Sequence, residues 1–179
     1  MTAAPQPPAR SARAAEIVAA ARRLLEQEGT HALTMRRLAG ALGIRAPSLY
    51  KHFSTKRAVE TALIVEGMQE MGGALHAALS PSDGVGAVRR VLDAYRAAAL
   101  ASPGLYRLAT SGPLPREDLP GGLEEWAGQP FLLATGDPWR AQALFSFAHG
   151  MVTLELDGRF PTVNDLGLTW DAGAAAFSR

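Results

Sequence analysis

The chain contains no cysteine. That excludes disulfides, thiolate nucleophiles and cysteine-type zinc sites, and it agrees with a reducing compartment. Lysine is nearly absent too: of eighteen cationic side chains sixteen are Arg, and the two lysines are Lys51 and Lys56. Aromatic side chains make up only 7 % of the residues. No apolar run reaches the length of a membrane span, so no membrane partner is expected. Met1 to Ala9 are rich in Pro and Ala but lack the apolar segment of a signal peptide. With Arg10 they read as a disordered arm, residues 1–10, and the expected location is the cytoplasm, on the nucleoid. Arg10 and Arg13 at its end are either phosphate contacts or solvated charges. No strand pattern and no internal repeat is present. A Gly-x-Ser-x-Gly elbow and a Walker-type glycine loop are both missing. His31, His52, His76 and His149 show no paired metal-ligand spacing, so neither metal nor cofactor is expected.

What is present suffices for a sizeable core. Apolar residues make up 47 % of 179 positions, enough for a small domain joined to a larger one. Charge is unevenly spread. Residues 1–57 hold ten Lys/Arg and three Asp/Glu, a balance of +7; residues 58–179 hold eight and fourteen, a balance of −6. A basic head on an acidic body points to a polyanion partner for the head alone.

The run Leu33–Phe53 carries the clearest local signals. Thr34 is a good N-cap. Leu38 and Leu42, four apart, give the first short helix a buried face. Gly43 suits the left-handed position that ends it, and Ile44 turns inward. A second short helix starts near Ala46, where Pro47 is tolerated because no N–H is needed. Leu49 and Phe53 form its buried face. Arg45, Ala46, Pro47, Ser48, Tyr50, Lys51 and His52 are left outside. That face has cations, an aromatic ring and no carboxylate, which suits the major groove of DNA.

Leu33-Thr34 with a basic residue, Leu38-Ala39, Leu42-Gly43-Ile44, Ser48-Leu49-Tyr50-x-His52-Phe53 and Lys56 together resemble the helix-turn-helix of the TetR family. The resemblance covers about Ala12 to Leu63. It implies that Arg36, Ala46, Pro47, Ser48 and Lys51 face bases, and that Thr34, Tyr50, His52 and Lys56 face phosphates. Lys56 also has an argument of its own. With Arg57 it lies in the first turn of a helix expected to start at Ser54, where cations oppose the macrodipole. A phosphate docked at that end would remove the conflict, so Lys56 is expected to be a phosphate contact, the alternative being an ordinary surface lysine.

The remaining chain reads as all-α, about nine helices in total. The first spans about 11–28, with Ile17, Ala21, Leu24 and Leu25 as its core stripe and Gly29 at its end. The fourth runs to about Leu79, weakened by Gly72-Gly73. A turn at Ser80–Gly84 precedes the fifth, about 85–101, with Val88, Leu92 and Tyr95 on one face. Ser102-Pro103-Gly104 breaks it, and the sixth covers 105–110. A loop spans 112–122. The seventh, about 123–135, is interrupted by Gly128 and Pro130. Asp137-Pro138 starts the eighth, which ends at Asp157-Gly158. Pro161 and Thr162 separate it from the ninth, about 163–177. The expected domains are a three-helix DNA-binding domain over 11–57 and a helical regulatory and dimerisation domain over 58–179.

A second resemblance lies in Phe145-Ser146-Phe147-Ala148-His149-Gly150, followed by Leu154-Glu155-Leu156 and Gly158-Arg159-Phe160. These resemble the C-terminal domain with a Trp-His-Gly signature, although Ala148 stands where the Trp would be. The resemblance implies a domain that dimerises and binds a ligand. The eighth helix is apolar nearly all round, so a second surface must cover it. A second copy of the chain is the commonest cover; Leu144, Met151, Leu154, Leu166 and Trp170 are the expected interface. Met68, Met71, Tyr95, Tyr106, Trp126, Phe131, Phe145 and His149 are expected either to line an apolar effector pocket or to fill the core. His149 is a polar anchor in that pocket or a core histidine bonded to a carbonyl.

The function expected is therefore that of a homodimeric, ligand-responsive regulator, not an enzyme. It would act as a repressor released from double-stranded operator DNA by a small apolar effector. A DNA-binding architectural or cell-division protein without an inducer is the alternative. An enzyme built in the helical body would need a catalytic constellation that no motif supplies.

Overall fold

The computed structural model describes residues 3–6, 9–79, 86–161 and 165–178. They form nine α-helices: α1 (Ala12–Glu28), α2 (Met35–Ala41), α3 (Ala46–Tyr50), α4 (Lys56–Ala78), α5 (Ala87–Ala101), α6 (Pro103–Thr110), α7 (Leu123–Thr135), α8 (Pro138–Leu156) and α9 (Leu166–Phe177). Two short 3-10 turns, Thr30–Ala32 and Arg116–Asp118, complete the regular structure, and no strand occurs among the described residues. The expected turn at Ser80–Gly84, the start of the fifth helix at Val85, and Thr162 and Val163 lie outside the described residues. The chain divides into two compact units, and the boundary falls within α4, between Met68 and Gln69.

The first unit holds Pro5–Met68 and Ser102–Leu123. Its core is Ile17, Val18, Ala21, Leu24 and Leu25 of α1 packed with Leu33, Leu38, Leu49, Phe53, Val59, Leu63 and Leu105. The stripe expected on the first helix is therefore its buried face. Ser11 caps α1 by accepting from the Ala14 N–H at 3.2 Å. Thr34 caps α2 by accepting from the Arg37 N–H at 3.2 Å, and Gly43 adopts the expected left-handed conformation at φ 63°. The cap of α4 differs from expectation. Thr55, not Ser54, accepts from the Ala58 N–H at 3.0 Å, so the helix begins at Lys56.

The compact unit around the helix-turn-helix reaches well beyond residue 57, because α6 docks on α1. The Glu26 carboxylate accepts from the Gly104 and Leu105 N–H groups at 2.9 and 2.8 Å, and Arg22 donates to the Ser102 hydroxyl at 3.1 Å. The carboxylate thus satisfies donors that a helix N-terminus leaves unpaired. Pro103 accordingly opens α6 instead of merely breaking the chain, and the helix starts two residues before the expected Leu105.

The second unit contains Gln69–Ala101 and Glu124–Arg179. Val88, Val91, Leu92 and Tyr95 of α5 are buried with Leu144, Ala148, Met151 and Val152 of α8 and Trp170 of α9. Arg96 of α5 forks onto Glu155 of α8 at 2.6 and 2.9 Å and lies over the Trp170 ring, 5.8 Å from its centroid. The hydrogen bond to Glu155 holds the Arg96 guanidinium above its ordinary pKa, against a smaller opposing effect of burial. Arg89 of α5 pairs with Asp93 and with Asp171 of α9. Asp137 accepts from the Arg140 N–H at 2.8 Å, giving α8 the start its Asp-Pro pair predicts.

Two expected weak points are intact helix. Gly72-Gly73 does not break α4. Gly72 is the place where Trp126 of α7 packs: a Cβ there would collide with the indole. Pro130 does not break α7 either. Proline has no N–H, so the carbonyl of Trp126, four residues earlier, loses its helical donor. His76 of α4 supplies the replacement, with Nε2 at 2.9 Å from that oxygen. A carbonyl can only accept, so the proton sits on Nε2. His76 is buried, and its ring stacks on Trp126 with centroids 4.8 Å apart.

Candidate nucleic-acid interface

The outer face of the helix-turn-helix is built by subtraction. Leu38, Ala39, Leu49 and Phe53 turn into the core, with Leu42 and Ile44 packed against it, and the polar residues between them are left outside. Thr34, Arg36, Arg45, Pro47, Ser48, Tyr50, Lys51, His52 and Lys56 are all exposed, and Tyr50 keeps 49 % of its surface. Ala46 is the exception: it is half-buried and packs against the core.

Charge pairing sorts the cations of this unit. Two adjacent cationic pairs lie at helix starts, Arg36-Arg37 on α2 and Lys56-Arg57 on α4. In each pair the second member is tied to a distant carboxylate. Arg37 donates from Nε and Nη2 to Glu28 at the end of α1, at 3.2, 2.6 and 2.7 Å. The hydrogen bond to Glu28, with its charge, raises the Arg37 pKa above its ordinary value. Arg57 donates to Glu117 at 2.5 Å and lies 3.5 Å from Asp118, both on the 3-10 turn beyond α6. Lys56 meets Glu60 of its own helix at 3.0 Å. Arg36, Arg45 and Lys51 carry no ion pair among the described residues. Arg36 also borders an open hollow of about 570 Å³ between α1 and α2, shared with Arg23, Glu28 and Arg37.

Arg10 and Arg13 are both engaged within the chain. Arg10 is half-buried, donating to Glu66 at 2.8 Å and to the Ala62 carbonyl at 3.2 Å; Arg13 pairs with Glu16 at 2.6 Å.

The residues expected around an effector divide between the units. Met68 and Tyr106 belong to the first; Met71, Tyr95, Trp126, Phe131, Phe145 and His149 belong to the second. Within the second, Tyr95, Phe131 and Phe145 meet edge to face, with centroids 5.7–6.2 Å apart. Phe145 continues the cluster to His149, stacked at 6.1 Å and 19°. Tyr95 and Phe131 are buried, whereas Phe145 keeps 43 % of its surface. Trp126 stands on Gly72 and His76.

The expected interface residues also divide. Leu144, Met151 and Trp170 are covered by their own chain. The sequence pattern does not place them inward, because a helix apolar all round shows no difference between its two covered sides. Leu154 is exposed and Leu166 half-buried. The exposed residues of α8 include Trp139, Gln142, Ala143, Phe145, Ser146 and Leu154, and those of α9 are Leu168, Thr169, Asp171, Ala172, Ala175 and Ala176. Asp171, paired with Arg89, is the one charge among them.

Residues 17–63 match the sequence model of bacterial regulatory proteins of the tetR family, and residues 88–177 match that of the tetracyclin repressor-like C-terminal domain. The chain belongs to the TetR family. The first match falls on the helix-turn-helix, and the second runs from α5 to the end of α9. The chain thus joins the family's regulatory-protein N-terminal domain to a repressor-like C-terminal domain. An uncharacterized HTH-type transcriptional regulator of Bacillus subtilis, YobS, is 29 % identical over 93 residues. That match takes in 52 % of this chain and 49 % of YobS, so the chain spans about half the length of the curated relative it matches. Two solved structures share the fold. A variant of TetR from Acinetobacter baumannii AYE, in complex with minocycline, is 24 % identical, with a TM-score of 0.64 over 92 % of this chain and 93 % of that one. BioQ with its natural double-stranded DNA operator is 22 % identical, with a TM-score of 0.56 over 91 % and 98 %. Among the described residues no helix of this TetR-family chain is long and apolar enough to cross a membrane.

Sequence reasoning does not single out Glu28, Glu117 or Asp118 as partners of the interface cations. Each pair joins residues far apart in the chain, and neither periodicity nor spacing reports such a meeting. The spacing of His76 from the other histidines only sets it aside as a metal ligand and gives it no role. The one signal for its role is Pro130, which announces a carbonyl in need of a donor without saying where the donor comes from.

Proposed function

We propose that this TetR-family chain is a homodimeric cytoplasmic repressor that leaves its operator when a small apolar molecule binds the second unit. The observation that carries the reading is the outward face of the helix-turn-helix. It presents Arg36, Arg45, Ser48, Tyr50 and Lys51 with no carboxylate among them, which is what phosphate contact and base-edge reading require. Arg36, Ala46, Pro47, Ser48 and Lys51 read bases, and Thr34, Tyr50, His52 and Lys56 hold phosphates. The pairing pattern supports the choice of Arg36 over Arg37, because Glu28 already engages Arg37.

Two variants separate the roles. Arg36→Ala is expected to relax sequence choice at one base position, at a cost of about 1–3 kcal/mol. Lys56→Ala is expected to weaken all sequences alike and to flatten the slope of log affinity against log salt by about one. Binding titrations on matched and mismatched duplexes at several salt concentrations measure both. A Lys56→Ala protein with altered base preference and an unchanged salt slope would contradict the assignment.

The effector reading rests on the Tyr95–Phe131–Phe145–His149 cluster, which joins three aromatic rings to one polar group at a half-exposed edge. That combination suits an apolar ligand with one or two polar atoms. The complex of the Acinetobacter protein with minocycline is a small-molecule complex on the same fold. A ligand acts on DNA affinity only through its differential affinity for two states of the protein. A thermal-shift screen of apolar compounds, followed by operator release by the hits, tests this. The outcome against it is that no compound both binds and changes operator affinity.

A further inference from the structure

We propose that Glu117 and Asp118 are internal counter-ions that compete with DNA phosphate for Arg57, and so act as an electrostatic brake on operator binding. The proposal rests on the reading of this head as the DNA interface. Arg57 stands beside Lys56 in the first turn of α4, at the edge of the exposed helix-turn-helix face. Its partners come from about sixty residues away in the chain, on the turn Arg116–Asp118 beyond α6. A carboxylate pair at 2.5 and 3.5 Å from one guanidinium presents two anionic oxygens, as a phosphate does.

The pair is built to be exchanged. Arg57, Glu117 and Asp118 keep 62, 69 and 49 % of their side-chain surface, so water weakens their attraction and a phosphate can reach the same guanidinium. Its own backbone amide chiefly holds the Glu117 carboxyl below the usual carboxylate range; burial opposes it, and the charge and hydrogen bond of Arg57 each add a smaller lowering effect. Glu117 is therefore charged throughout the pH range in which DNA is bound. Lys56, one residue earlier, differs: its partner Glu60 is on the same helix, one turn away.

The test uses the full chain and a duplex selected from a random-sequence pool on the wild-type protein. Four proteins are compared: wild type, Glu117→Gln with Asp118→Asn, Arg57→Ala, and the three changes combined. All three positions are exposed, and circular dichroism with thermal melting checks that each protein folds. The neutralised protein is expected to bind about two- to fivefold more tightly per protomer at low salt. Its salt slope should steepen by about 0.9 per protomer, because one more phosphate is neutralised. Both gains should vanish when Arg57→Ala is added. A gain that survives Arg57→Ala would be a bulk charge effect and would overturn the proposal, as would no gain. Failure of the DNA-interface reading has a separate signature: Arg36→Ala and Lys56→Ala would leave binding to the same duplex unchanged.

Discussion

Placing glutamate at both Leu154 and Leu168 is expected to turn the protein into a folded monomer that has lost about 100-fold or more of its operator affinity. The two residues keep 42 and 67 % of their surface in the single chain. Charge there costs the isolated chain little. In a dimer seamed by α8 and α9 the same glutamates would be buried without partners, which is costly. Beside them lie the exposed Trp139, Ala143, Ser146, Ala172 and Ala176, mostly small side chains that let two helices approach closely. A four-helix bundle made from two such pairs is a standard dimer seam. The affinity loss is a matter of linkage. In a dimer the second reading helix binds at high effective concentration, which is worth about 10²–10⁴ in overall affinity. Sedimentation at micromolar concentration reads the assembly, and DNA titration reads the affinity. Leu144, fully buried in its own chain, is no test of assembly, since a glutamate there would unfold the second unit. A doubly substituted protein that stays dimeric, or a wild-type monomer that binds its operator with full affinity, would count against the seam.

His76→Leu is expected to destabilise the protein by about 1–3 kcal/mol, because it leaves the Trp126 carbonyl without its donor in a buried place. The cause is Pro130, and that makes the prediction specific. Pro130→Ala restores an N–H at the position where α7 needs one. The cost of His76→Leu should therefore shrink by about 0.5–3 kcal/mol in the Pro130→Ala background. Denaturant unfolding of the four proteins of this cycle gives the coupling. Equal costs in both backgrounds would mean that His76 contributes through its stacking on Trp126 alone.

These two cases separate signals that a chain carries locally from signals that need a distant partner. The local ones were legible. Thr34 caps its own helix, Gly43 takes its own left-handed turn, and Asp137-Pro138 starts α8. The helix-turn-helix, assembled from such signals at close spacing, was legible almost throughout, Ala46 alone turning further inward than its place in the pattern suggests. Signals that depend on a distant residue misled. Pro130 reads as a breaker unless His76 is known to stand beside it. Gly72-Gly73 reads as a weak point unless Trp126 is known to need the space. Pro103 reads as punctuation unless Glu26 is known to cap α6. The same applies to the interface. Helix α8 is apolar all round, so periodicity could not say that Leu144 is buried within its own chain while Leu154 faces out. Nor could it pair Arg57 with Glu117.

The measurement that bears most directly on the whole account is recovery of the DNA fragments that the purified protein binds across a genome, with footprinting of each site and weighing of the complex. A homodimeric repressor is expected at a few sites near promoters, each a palindrome whose half-site centres lie roughly 34–36 Å apart, with chains bound in pairs. Many dispersed sites without a shared palindrome, or a single chain on each site, would contradict it and would leave an architectural DNA-binding protein as the reading that stands.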